Sequence, residues 1–196
     1  MAKITKIAQH GKIKALVYKR ADEFGYLTSG RKESGQFMDD LVEDPEIGGV
    51  LNEYMTKERI RTYIKDGILN AYTKARNKKV LSATTPENVV KQLYDCEANV
   101  IQKGTGKESD LYVLRSTEGK IFVVSGGTVL KWETALRKAL EIIAREPGLT
   151  IDSQTPFICL KLSEASQVLT DADKEHIRTA LNAIRVKAIF CGPNSC

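Results

Sequence analysis

The stretch Lys120-Ile-Phe-Val-Val-Ser-Gly-Gly-Thr128 decides how the chain reads. Its apolar run, residues 121–124, fits a strand buried on both faces, because a sheet covered by helices on both sides loses the polar alternation of a half-exposed one. The strand then delivers a serine and two glycines. "TVLKWETALRKALEIIARE" follows at helical periodicity. Leu136, Ala139, Leu140 and Ile143 are expected on its apolar face, with Glu133, Arg137 and Glu141 at four-residue spacing beside them. Pro147 and Gly148 end it.

Working upstream, "SDLYVLR" and "ANVIQKG" are rich in strand formers, and "STEG" and "TGKE" supply turns short enough for hairpins. "TTPENVVKQLYDC" predicts a helix with Thr85 as N-cap, Pro86 at the first position and Glu87 at the positive end of the dipole. Val89, Val90 and Leu93 give its apolar face. Downstream, "TPFICLKL" and "VKAIFCG" are buried strands around the helix "TDADKEHIRTALNAI", capped by Thr170 or Asp171. From residue 85 the order is helix, three strands, helix, strand, helix, strand. The expected class is α/β, a mixed sheet flanked by helices over residues 85–196.

Residues 1–84 are expected to form a mainly helical part. "KIKALVY" suits either a strand or a short helix, "GYLTSGRKESG" reads as a loop, and "QFMDDLVEDP" as a short helix ended by Pro45. Thr56 caps a longer helix through "KERIRTYIKDGILNAYTKARNKK", with Ile60, Ile64, Ile68 and Ala71 or Tyr72 as the buried stripe. Arg59, Arg61, Lys65, Lys74, Arg76, Lys78 and Lys79 decorate the rest. They form either a solvated face or a surface that follows DNA phosphates.

The chain has 196 residues, 42% hydrophobic and 28% charged, with a net charge of +5. That is ordinary for a globular protein and mildly favourable to acidic partners. No apolar run approaches the roughly 20 residues that span a bilayer, and the N-terminal lysines precede no signal-peptide core. A cytoplasmic location away from membranes is expected. Four cysteines without C-x-x-C spacing and only two histidines give no support to a zinc cluster or to Ser-His-Asp and Cys-His catalysis. Cys96, Cys159 and Cys191 read as small buried hydrophobes.

The element order over residues 85–192 resembles the PD-(D/E)xK superfamily, the restriction-endonuclease-like nucleases. The resemblance implies a restriction-endonuclease-like αβββαβαβ core, Mg2+ as cofactor, double-stranded DNA as substrate and a homodimer, since duplex cleavage needs two sites. Asp110, opening a strand after a glycine-containing turn, matches the family's first aspartate and would bind the metal. At the family's acid-x-lysine triplet this chain has Ser125-Gly126-Gly127. Some members carry a serine there and take the acid from the following helix, which makes Glu133 and Glu141 the candidate second metal ligands. Lys131 or Lys107 would supply the cation beside the attacking water, and Ser125 would hold the geometry. The expected activity is a Mg2+-dependent endodeoxyribonuclease; the alternatives are a catalytically inactive DNA- or protein-binding module on the same fold, or an unrelated use of the same topology. "SGGT" before a helix is either an anion-holding turn or a plain glycine connection. The hairpin and helix are also similar, to a lesser degree, to GIY-YIG nucleases, with Tyr112 and Glu175 as tyrosine and acid.

Overall fold

The computed structural model describes residues 10–106, 109–149, 155–165 and 169–192. The chain divides into two compact units, Met1–Arg76 and Asn77–Cys196.

The first unit is helical. α1 (His10–Phe24) and α2 (Arg31–Glu43) are followed by a π-helical turn, Pro45–Gly49. "KIKALVY" is thus helical, and α2 starts inside the segment expected to be a loop. Its Gly30 N-cap explains the early start: Glu33 reaches back to accept from the Gly30 N–H at 2.8 Å. A continuous helical run then covers residues 57–83, as α3 (Lys57–Thr62), a π-helical segment (Tyr63–Leu69) and α4 (Asn70–Ala83). Ile60, Ile64, Ile68 and Tyr72 are buried on it, as the four-residue spacing requires, and pack with Ile13, Val17, Phe37 and Leu41. Gly48 lets two backbones meet here, because a Cβ at that position would fall on the Val42 carbonyl and lie 2.9 Å from the Val42 Cα.

The second unit is a five-stranded mixed sheet. α5 (Pro86–Tyr94) leads into β1 (Ala98–Lys103), β2 (Leu111–Ser116) and β3 (Ile121–Thr128). α6 (Trp132–Arg145), β4 (Phe157–Ser163), α7 (Asp171–Ala183) and β5 (Val186–Cys191) complete it. The strand order is β1-β2-β3-β4-β5. β1, β2 and β3 pair antiparallel, while β3-β4 and β4-β5 are parallel. Gly119, at φ +83°, closes the β2–β3 turn. Thr85 caps α5 by accepting from the Asn88 N–H at 3.3 Å, and Thr170 caps α7 with Asp173 in a reciprocal box.

Each face of the sheet has its own core. On one face Leu111, Val113, Val123, Leu160 and Leu162 pack with Ala135, Ala139 and Ile142 of α6 and Leu181 of α7. On the other, Leu114, Phe122, Val124 and Cys159 pack with Val89 and Val90 of α5. Full burial on α6 falls on Ala135, Ala139 and Ile142; Leu140, expected inside, is 51% exposed. Small residues at the contact let α6 approach the sheet closely; Leu136 and Ile143, half-buried, pack against that core as expected, and Leu140 stands outside it. Among the described residues no helix is long and apolar enough to cross a membrane.

Candidate functional site

Strand register fixes which side chains can meet. Leu111 stands opposite Ser125, which puts Asp110 opposite Gly126 at the mouth of the β2–β3 ladder. The Gly126 N–H donates to the Asp110 carbonyl at 2.7 Å. A Cβ on Gly126 would lie 2.9 Å from the Asp110 Cβ, whereas one on Gly127 would lie 3.0 Å from the Ala135 Cβ of α6. Successive strand residues face opposite sides. Asp110 and Gly126 thus share the α5 face, and Ser125 and Gly127 face α6.

This alternation separates several residues that the sequence suggested would converge. Ser125 is fully buried on the face away from Asp110, and its hydroxyl has no hydrogen-bond partner among the described residues. Glu133 and Glu141 lie on α6, across the sheet from Asp110; both are exposed, and Glu141 accepts from Arg137 at 3.0 Å. Lys131 is exposed in the short 3-10 turn Val129–Lys131. Lys107 lies outside the described residues. The glycines of "SGGT" belong to β3, pairing with β4 as far as Thr128 opposite Ser163, so they form no loop around an anion.

Another lysine comes to Asp110's face. Gly126 pairs in parallel register with Lys161 of β4, which places Asp110, Gly126 and Lys161 in one row across three strands. Glycine leaves the middle of that row without a side chain. Lys161 is only 3% exposed. Its ammonium donates to the Thr84 carbonyl at 2.9 Å and lies 5.9 Å from the centre of the Tyr112 ring. Burial lowers its pKa, and Cys191, Asp110 and Glu87 pull it back up. The Tyr112 hydroxyl is raised by burial and by the carboxylates of Asp110 and Glu87, so it stays protonated at neutral pH. Lys103, opposite Tyr112 on β1, holds its amine 5.7 Å from the same ring. The group on this face is therefore Glu87, Lys103, Asp110, Tyr112 and Lys161. Beyond it, Ser163 donates to Asn77 at 2.8 Å.

One signal for this group was present in the sequence. A lysine interrupting the apolar run "FICLKL" is unusual, because lysine is almost never fully buried without a partner. Glu87 read as a dipole residue, and its proximity to Lys161 depends on how α5 packs on the sheet.

Among the described residues no group of three or more His, Cys, Asp or Glu side chains is gathered. The Asp110 and Glu87 carboxylates are the acidic oxygens that act on Lys161 and Tyr112. Of the described cysteines, Cys159 and Cys191 are buried, and burial pushes the Cys159 thiol up to about 12.

The basic helical run is partly neutralised. Arg61 is ion-paired with Asp39. Arg76 is ion-paired with Asp22, which also accepts from the Tyr72 hydroxyl at 2.7 Å. Arg59, Lys65, Lys74, Lys78 and Lys79 are exposed. Compared with protein-family models, with curated proteins and with solved structures, the chain matches none of them.

Proposed function

We propose that the chain is a Mg2+-dependent endodeoxyribonuclease on a restriction-endonuclease-like core, hydrolysing phosphodiester bonds of double-stranded DNA. The observation that carries this is the row Asp110–Gly126–Lys161, in which a carboxylate and a buried amine share one face of the sheet. An antiparallel three-strand meander continued by two parallel strands, with α5 on the face that holds Asp110, supports the finer fold assignment.

In this proposal Asp110 and Glu87 would hold the metal. Bound magnesium supplies Lewis-acid polarisation of the phosphoryl group and acidifies a water. Lys161 donates one N–H hydrogen bond to the Thr84 carbonyl, and its other two N–H groups are donors for a phosphate oxygen or the attacking water. The Tyr112 hydroxyl, kept protonated, is a further donor. The water oxygen forms the new P–O bond, the P–O bond to the leaving oxygen breaks, and that oxygen departs with a proton. Arg59, Lys65, Lys74, Lys78 and Lys79 supply sequence-independent phosphate contacts.

Supercoiled plasmid with Mg2+ at about 50 mM salt, where phosphate contacts are strong, is the direct test. The wild type nicks it, and Asp110→Asn and Lys161→Met each slow nicking by about a hundredfold or more, the loss seen when one transition-state donor is removed. Plasmid left intact across Mg2+ and Mn2+ titrations refutes the activity. Binding without cleavage selects the alternative, a catalytically inactive DNA-binding module. That alternative is favoured by the acid-free triplet and by the bond that already ties Lys161 to Thr84.

A further inference from the structure

Within the group around Asp110, Lys103 is the exposed cation. Glu87, Asp110 and Tyr112 are half-buried and Lys161 is buried, whereas Lys103 is exposed and stands in no ion pair among the described residues. Without Lys103, the open part of this group carries two carboxylates and no cation, an arrangement that repels a polyanion.

The sheet fixes where that charge stands. β1 is an edge strand, so no further strand lies beyond Lys103 and the face is open on that side. Gln102, on the opposite face, donates to Glu146 at 2.7 Å, and the Gly104 N–H donates to the Leu111 carbonyl at 2.8 Å. The backbone that carries Lys103 is therefore tied on both sides. Lys103 stands opposite Tyr112 in the antiparallel register, and Asp110 lies two residues along the same strand, a diagonal step of roughly 7–8 Å. The amines of Lys103 and Lys161 lie 5.7 and 5.9 Å from the centre of one ring, that of Tyr112. A cation over a ring at an exposed site is held weakly, so Lys103 can turn from Tyr112 to a phosphate at little cost. Lys161 is held by the Thr84 carbonyl and cannot follow it.

We infer that Lys103 binds the phosphate next to the one that sits over Asp110 and Lys161, so that the site grips two successive phosphates of one strand. The ligand it selects is a continuous phosphodiester chain, not an isolated diester. The inference rests on the nuclease proposal for the face that the chain crosses, and it concerns grip, not cleavage.

Fluorescence anisotropy with a short labelled duplex tests it across about 50–200 mM salt, without Mg2+ so that nothing is cut. Lys103→Met is expected to weaken binding about fivefold at the low-salt end and to reduce the slope of log affinity against log salt by about one, the share of one phosphate contact. Lys103→Arg keeps the slope. Arg115 is the control: it is exposed, in no ion pair among the described residues, and on the face of Val113, away from Tyr112. Arg115→Met keeps the slope as well. If Lys103 only props the Tyr112 ring, Lys103→Met lowers the melting midpoint and leaves the slope at the wild-type value, which overturns the inference. So does an Arg115→Met protein whose slope falls as far, or a wild type with no affinity for the duplex at about 50 mM salt. Plasmid nicking with Mg2+ on the same proteins separates the two readings. Plasmid left intact while Lys103→Met reduces the slope refutes the nuclease proposal and supports the Lys103 contact. Plasmid nicked while the slope holds overturns the Lys103 contact alone.

Discussion

Two neighbouring glycines give the sharpest test of the site, because they face opposite sides of one strand. In Gly126→Ala the new methyl begins 2.9 Å from the Asp110 Cβ. Contacting carbons settle at roughly 3.5–4.0 Å, so Asp110 must retreat by roughly 0.6–1.1 Å. Overpacking of this size costs about 1–3 kcal/mol. At roughly 4 °C per kcal/mol for a unit of this length, the melting midpoint falls by roughly 4–12 °C. A carboxylate misplaced by about 1 Å costs about a hundredfold in rate. Gly127→Ala meets the Ala135 Cβ at 3.0 Å on the α6 face, so it destabilises to a similar degree while cleavage is kept. Calorimetry and plasmid nicking on both variants, well below either midpoint, separate the two effects. A Gly127→Ala protein that loses cleavage beside a Gly126→Ala protein that keeps it would refute the face assignment. A Gly126→Ala protein unchanged in both measurements would refute the packing argument.

Ser125→Ala removes a buried hydroxyl that has no partner among the described residues, so the protein should be unchanged or up to about 1 kcal/mol more stable with cleavage intact; lost cleavage would return Ser125 to the site. Lys161 titrates lower in the folded than in the unfolded chain. The unfolded state therefore binds more protons between the lowered pKa and the ordinary lysine value near 10.4, and wild-type stability gains on Lys161→Met as pH rises through that window. Denaturant melts showing a constant difference up to pH 10.5 would contradict this. Gly48→Ala drives a methyl into the Val42 backbone and should destabilise the helical unit by about 3 kcal/mol, which circular dichroism on thermal melting would detect; an unchanged melt would show that the two backbones can separate freely.

The element order from α5 to β5 was legible because helices and strands advertise themselves by period, and Thr85, Pro86, Pro147 and Thr170 punctuate them. Parity along β3 was not. A one-residue slip in register exchanges the two faces of a strand, and nothing local to "VVSGGT" states which residue stands opposite Asp110. The acid-x-lysine comparison therefore began at Ser125, whose side chain enters the α6 core, while Asp110's own row runs through Gly126 to Lys161. Leu140 of α6 misled for a related reason: hydrophobicity marks a side of the helix, and Leu136, Ala139 and Ile143 do pack on the core, but the fully buried positions are Ala135, Ala139 and Ile142. In the helical unit, α2 starts earlier than its composition suggests because the Glu33 carboxylate accepts from the Gly30 N–H where serines and glycines signal a loop.

Each strand of the sheet bonds only to strands next to it in the chain, from β1 through β5. Assembly can therefore follow synthesis. The β1–β3 meander closes through local turns as soon as it is made, and each later strand needs only the edge already laid down by its predecessor. No strand waits for a distant segment to be inserted between two others, which keeps loop-closure entropy low and the open edge brief. For a sheet that holds two parallel pairings, slow by nature, this order of addition lets the nascent chain cover its apolar faces one helix at a time.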